Sequence, residues 1–178
     1  NDGIKGKDSV SILDGIINIT TVDGDGIQSN NTTDTDKGWI VIDGGEIYVT
    51  TGQDGIQAEN TLSIKQVDLT IDSTDPTAEK NDEISQKGLK STGAMTIDNG
   101  TYVISTVDDS LHSNNSITIN NGAYTLSSQD DGIHADADLI INNGSVTVAQ
   151  SYEGLEGKTI QIKNGNHVIN STDDGLNA

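Results

Sequence analysis

The 178-residue chain carries nine Lys, no Arg and 28 acids, for a net charge of −19, and has neither Cys nor Phe. Such a surface repels a polyanion, which disfavours nucleic acid as a partner, and the lack of Cys excludes disulfides and thiol chemistry. With 20 Gly and 3% aromatics, the remainder is rich in Val, Ile, Thr, Ser and Asn, the residues of strands and turns.

From the N-terminus, NDGIKG (1–6) already reads as the middle of a repeat, so the chain is expected to be a trimmed or processed piece. No apolar run is long enough to span a membrane and no signal peptide is visible. VSILDG and IINI follow, then DGI again at Gly26, IVIDGG and EIYVT, DGI at Gly55, LSIKQV and LTI. The pattern continues as KGL at Gly88, MTIDNG and TYVIS, DSL at Ser110, ITINNG and AYTLS, DGI at Gly132, LIINNG and SVTVA, EGL at Gly154, IQIKNG and NHVIN, and DGL at Gly175. Successive steps between these Gly (or Ser) positions are 23, 29, 33, 22, 22, 22 and 21 residues. The two long steps carry the insertions SNNTTDTDKG (29–38) and STDPTAEKNDEI (73–84). The DGI at Asp14-Gly15-Ile16 falls in register with Asp98-Asn99-Gly100 and so reads as a turn.

Each unit holds three short segments that alternate apolar and polar, the strand period. None can bury a face alone, but stacked coils can, because each strand bonds to its equivalent one coil away. A fixed repeat of this kind, which a β-sandwich would not require, predicts a single domain over 1–178: an all-β, right-handed parallel β-helix of about seven coils. At ~4.8 Å per coil the rod would be a little over ~30 Å long. The predicted interior columns are Ile4, Ile27, Ile56, Leu89, Leu111, Ile133, Leu155 and Leu176; Ile12, Ile42, Ile64, Ile97, Ile119, Ile141 and Ile162; and Ile19, Val49, Ile71, Ile104, Leu126, Val148 and Ile169. Tyr102 and Tyr124 are expected inside, as is His167 as a satisfied core histidine.

Stacking turns repeated acids into ladders. The position before each glycine gives Asp2, Asp25, Asp54, Lys87, Asp109, Asp131, Glu153 and Asp174. Carboxylates one coil apart repel by roughly 1 kcal/mol in water and about 3–4 at an effective dielectric of 20. Raised pKa values or a bound cation relieve this, and clustered carboxylates with turn carbonyls suit Ca²⁺. The leading candidate is Asp108, Asp109, Asp130 and Asp131, with Glu153 beneath. Asp23, Asp25 and Asp54 form a second candidate, and Asp173 and Asp174 contribute to a third. Lys87 is expected to split the row into two acid clusters, as a counter-ion where the metal is not. DTDKGW (34–39) only partly echoes an EF-hand, and a solvated acidic face is the plainer alternative.

Repeated [DE]-G-[IL]-x-[AS] with x-N-G turns on ~22-residue coils resembles a family of secreted clostridial carbohydrate-binding β-helix domains, similar in fold to pectate lyases. The likeness extends over essentially the whole chain. It implies a secreted or cell-surface protein that holds several Ca²⁺ ions and binds plant cell-wall polysaccharide, both cellulose and acidic pectin, without being an enzyme. DDG also looks like the calcium pattern of some β-helical lyases, which again points to Asp108, Asp109, Asp130 and Asp131. No membrane insertion is expected, and a monomer is.

The polar position after each DGI should point outward and stack: Lys5, Gln28, Gln57, Lys90, His112, His134, Glu156 and Asn177. Gln57, Lys90, His112 and His134 in this row, with Trp39 as a ring for sugar stacking, are the candidate carbohydrate residues. Two stacked His without a third ligand are a weak transition-metal signal. A Ca²⁺-dependent polysaccharide lyase needs a base, for which Lys87 and Lys90 are the candidates since Arg is absent. A structural or adhesive solenoid is the third class, though its outward Thr rows are interrupted.

Overall fold

The computed structural model describes residues 1–73 and 83–178, so most of the second insertion lies outside the described residues. The described chain holds strands and turns and no helix. The first coil is β1 (Ile4–Gly6), β2 (Ser9–Ile12) and β3 (Ile16–Thr20), and the second β4 (Ile27–Ser29), β5 (Trp39–Ile42) and β6 (Glu46–Thr50). The third is β7 (Ile56–Ala58), β8 (Leu62–Ile64) and β9 (Asp68–Asp72). Then come β10 (Leu89–Ser91), β11 (Met95–Ile97) and β12 (Thr101–Ser105), and β13 (Leu111–Ser113), β14 (Ile117–Ile119) and β15 (Ala123–Ser127). The last coils are β16 (Ile133–Ile141) with β17 (Ser145–Gln150), and β18 (Leu155–Ile162) with β19 (Asn166–Ile169), followed by β20 (Leu176–Asn177).

Every pairing is parallel, and each strand pairs with its equivalents on neighbouring coils, which makes the chain a parallel β-helix. The three predicted interior columns are reproduced in register, from Ile4↔Ile27 and Ile12↔Ile42 through Leu155↔Leu176 and Val148↔Ile169. Mid-solenoid members such as Ile27, Ile42, Leu111 and Ile119 are fully buried, whereas Leu176 in the last coil is 52% exposed. Burying each such side chain contributes on the order of 1.5–3 kcal/mol, so the middle coils carry most of the stability. Tyr102 and Tyr124 stack inside at 4.5 Å, their hydroxyls donating to the Asn99 and Asn121 carbonyls at 2.8 and 3.0 Å. His167 continues that column beyond Val146, with Nε2 3.0 Å from the Asn164 carbonyl oxygen.

Three strands per coil describes only the first five coils. In β16 and β18 the first and second strands fuse, so the two columns close into one thirteen-stranded sheet opposite a seven-stranded one. The physical reason lies in the corner. Where earlier coils turn through polar stretches such as SNNS (113–116), IHADADLII continues as strand and LEGKTIQI has no Asn or Ser to turn on. The pairing of β16 with β18 skips one residue between Ala135↔Gly157 and Asp138↔Thr159, which accounts for the final 21-residue step.

The turn after the second strand takes a left-handed backbone in six coils, supplied by Gly15, Gly45, Gly100, Gly122, Gly144 and Gly165 at φ between 102° and 133°, while the third coil turns through Gln66 and Val67 without one. The Asp14-Gly15 turn is therefore as expected, with its register one residue further on: Gly15 and Gly100 occupy the same level-to-level hydrogen-bonding position. Asn side chains bond up this edge, Asn120 to Asp98 and Asn142 to Asn120, each at 2.6 Å. The glycine of the DGI phrase has a different reason. A Cβ on Gly88 would sit 2.4 Å from the Ser110 carbonyl oxygen and 2.5 Å from Ile104 Cγ2, so the third strand reaches this corner only if it is bare.

Candidate functional site

The corner between the third and first strands carries the acid ladder. Its backbone stacks as anticipated: the N–H of Gly3, Gly26, Gly55, Gly88, Ser110, Gly132 and Gly154 donates to the carbonyl of Asp25, Asp54, Lys87, Asp109, Asp131, Glu153 and Asp174 in turn, at 2.8–3.0 Å. The carboxylates are relieved by a third route besides raised pKa values and bound cations. Each short Asp accepts the backbone N–H of the ladder residue on the next coil: Asp2 from Asp25 at 3.2 Å, Asp25 from Asp54 at 3.1 Å, Asp54 from Lys87 at 2.9 Å, Asp109 from Asp131 at 3.1 Å and Asp131 from Glu153 at 3.2 Å.

The second oxygen usually meets the side chain three residues on, across the DGI turn. Lys5 pairs with Asp2 at 2.8 Å, Gln28 donates to Asp25, His112 Nδ1 donates to Asp109 Oδ2 at 2.7 Å, and His134 Nδ1 lies 3.3 Å from Asp131 Oδ2. Lys90 instead reaches back a coil to Asp54 at 3.1 Å, and its Nζ also donates to Ser85 Oγ at 2.9 Å. The row expected to point outward thus folds back onto the acids, and His112 is buried.

Lys87 is a second correction. Its ammonium lies 2.6 Å from Asp108 and 2.9 Å from Asp109, so it neutralises the leading metal candidate rather than separating two clusters. Burial works to lower the Lys87 pKa, but Asp109 and Asp108 outweigh it and hold the amine protonated, with its pKa above the ordinary lysine value. Burial likewise works to raise the Asp109 carboxyl, and the His112 hydrogen bond and the Lys87 charge together drive it well below the carboxylate range. His134 is pushed up to about 9, first by its hydrogen bond with Asp131 and then, against burial, by the charges of Asp109, Glu156 and Asp131. Glu156 is pushed up to about 7 by burial and by the neighbouring acids Asp131 and Glu153.

The structure brings Asp108, Asp109 and Asp130 together, with one oxygen of each within 4.8 Å of the others. Asp131 leaves that group because its side chain faces His134 and Glu156. Glu153 turns both oxygens to Asn177 Nδ2, at 3.0 and 3.1 Å. In the second predicted site Asp25 and Asp54 are buried and held by the ladder bonds above, while Asp23 is exposed. Asp173 and Asp174 are exposed too, and among the described residues none of these five joins a metal-competent group.

Gln57, Lys90, His112, His134 and Glu156 stack in one row on successive coils. Trp39 opens β5, half-buried and paired with Ser9, so it stands in the second column, off the row. Lys87, Asp108, Asp109, His112, Asp130 and His134 line an open groove of about 350 Å³, completed by Ile84 and Ser85. Ser85 and Asp136 were missed as site residues, whereas Glu156 stands in the row where the sequence placed it. The outward row of the seven-stranded sheet reads Asn18, Tyr48, Thr70, Val103, Thr125, Thr147 and Val168, with no regular Thr array.

Fold and site together define an acidic parallel β-helix with a polar, grooved face at the ladder corner. Residues 1–132 match the carbohydrate-binding domain-containing protein family, and the chain belongs to it. No curated protein and no solved structure matches the chain.

Proposed function

We propose that this carbohydrate-binding chain is a non-catalytic, extracellular module for acidic plant polysaccharide of the polygalacturonate type, engaged along the first-strand face with Ca²⁺ as a bridge. One observation carries the reading: Gln57, Lys90, His112, His134 and Glu156 repeat in register at one-coil intervals beside an open groove. A polymer laid along the solenoid would meet the same kind of contact at each level. On a chain of net charge −19, a uronate needs cations, and Lys90 stands in the row.

Asp108, Asp109 and Asp130 are the residues that would hold Ca²⁺. Their donor set is all oxygen, which fits a hard cation, and the ion would supply positive charge shared between protein and uronate carboxylates. The Lys87 ammonium competes for the same oxygens, so calcium must displace it or join it at the groove side. A lyase reading finds no support in Lys87, since a base must be free of its proton and Lys87 is held protonated by two acids.

The test is depletion of the protein by insoluble polygalacturonate and, in parallel, by cellulose, in calcium and in chelator, with ultraviolet absorbance followed for unsaturated products. Calcium-dependent depletion on polygalacturonate with flat absorbance is expected. Rising absorbance would make the chain a lyase, and depletion on cellulose alone would remove the uronate reading.

A further inference from the structure

The groove holds a second kind of donor set that an all-oxygen calcium site does not use. His112 and His134 face one another on adjacent coils, ring centroids 4.9 Å apart and edge to face. One donor atom from each lies within 4.8 Å of the other and of an Asp109 oxygen. His134 is in turn shared with a second group, Asp131 and Glu156, whose nearest oxygens both stand 3.3 Å from its Nδ1. On its far side Nε2 meets Asp136 Oδ1, also at 3.3 Å. Two imidazoles thus converge among carboxylates in a groove open to solvent, which supplies both ligands and an entry path.

We infer that Asp109, His112 and His134 form a binding site for a divalent transition metal of the Zn²⁺ type, distinct in chemistry from the all-oxygen calcium site. Imidazole nitrogen selects Zn²⁺ over Ca²⁺, which takes oxygen donors only. Zn²⁺ holds nitrogen and oxygen ligands at about 2.0–2.2 Å, which places the donor atoms of a tetrahedron roughly 3.3 Å apart. Closing from within 4.8 Å to that spacing asks for side-chain rotation alone, because the three residues sit on a rigid corner in fixed register. Asp109 Oδ1 already accepts the Asp131 N–H, which fixes the carboxylate, while Oδ2 meets His112 Nδ1 at 2.7 Å and the Lys87 ammonium at 2.9 Å, so that Zn²⁺ would displace Lys87 there. Asp131 and Glu156 flank His134 as outer carboxylates that orient its ring. The register explains why the site falls here: His112 and His134 are the two His of the row, and they fall on neighbouring levels directly above an acid of the ladder.

The site shares Asp109 with the calcium site, so the test must separate the two ions. ZnCl₂ is titrated into the metal-free 178-residue chain, and the ring-proton resonances of its three histidines are followed by NMR, with affinity read by calorimetry. Saturable one-to-one binding is expected at micromolar Kd, with the His112 and His134 signals shifting and His167 unmoved. His112→Ala and His134→Ala should each weaken Zn²⁺ binding at least tenfold and leave Ca²⁺ binding within about twofold, while Asp109→Asn weakens both. His167→Gln should change neither. Absence of saturable Zn²⁺ binding, movement of His167 in step with the other two, or wild-type Zn²⁺ affinity in both Ala variants would each overturn the inference. The resonance test uses the unmodified chain and decides the matter even if a variant does not fold. Failure of the polysaccharide test would leave these readouts unaffected.

Discussion

Replacing Lys87 by Met tests how the acid ladder is held and where calcium enters it. Met keeps the alkyl stem and removes only the ammonium, so lost packing is not confounded with lost charge. Asp108 and Asp109 are 10% and 2% exposed, and Lys87 is 14% exposed, at 2.6 and 2.9 Å from them. Removing one partner of a buried pair costs about 3–5 kcal/mol, since the remaining charges lose their compensation. Asp109 keeps its His112 and Asp131 N–H bonds, which places the loss at the lower end, about 3 kcal/mol. For a chain of this length that is a fall of about 6–12 °C in Tm. Without the competing ammonium the variant should bind calcium more tightly than the wild type does, so calcium should narrow the deficit seen in chelator, by up to about 2.7 kcal/mol where the affinities differ 100-fold. Urea and thermal unfolding of both proteins, in chelator and in millimolar calcium, give the four numbers required. A deficit below 1 kcal/mol in chelator would refute the structural role of Lys87, and an equal deficit in both buffers would remove calcium from Asp108 and Asp109.

Asp25 is pushed up to about 6 by burial and by the charge of Asp54, so the folded state holds a proton that the unfolded state releases near 3.8. Stability should therefore fall as pH rises from about 4 to 6, and Asp25→Asn should stabilise the chain by roughly 1–3 kcal/mol at pH 7.5 and by little at pH 4, read by urea unfolding; no pH dependence of the difference would sink the assignment. Gly88→Ala should destabilise by about 1–3 kcal/mol or more through the contacts with Ser110 and Ile104, whereas Gly175→Ala, whose Cβ meets nothing nearer than 4.0 Å, should be close to neutral. Equal effects in thermal melts would mean the DGI glycine is not a steric requirement. Lys90→Gln should weaken polygalacturonate depletion about tenfold at unchanged calcium affinity, and unchanged depletion would take the row out of the binding face.

The columns were legible because a solenoid interior asks the same question of the chain at every level. Ile42, Ile64, Ile97, Ile119 and Ile141 answer it alike, and one-residue errors would expose a whole column. The fusion of strands in β16 was legible in principle, since IHADADL (133–139) alternates through what should be a corner; reading units of three obscured it. What the sequence does not carry is the choice of side-chain partner. Lys87 has acids on both neighbouring levels, and only the rotamer that reaches Asp108 and Asp109 decides which cluster is neutralised. The inward fold of His112 is of the same kind, decided by a 2.7 Å hydrogen bond across a turn rather than by strand alternation, which would have sent the ring outward.

The doubled acids are then less a matter of charge than of reach. An Asp at the ladder position is short enough for its carboxylate to cap the backbone N–H one coil on, and Asp2, Asp25, Asp54, Asp109 and Asp131 all do so. Glu153, one methylene longer, carries its carboxylate past that N–H to Asn177 two turns of sequence away. A hydrogen bond to a charged acceptor is worth about 1.5–3 kcal/mol, which meets much of the repulsion of about 3–4 kcal/mol between buried neighbours such as Asp25 and Asp54, and the adjoining Gln28 and Lys90 contacts add to it. The ladder therefore leans on backbone N–H groups and on the Lys and His side chains beside it, and Asp108, one position before the ladder, shares the Lys87 ammonium with Asp109. A carboxylate ladder built into the backbone in this way holds coil to coil, and only Asp108, Asp130 and Asp173 add an acid immediately before it.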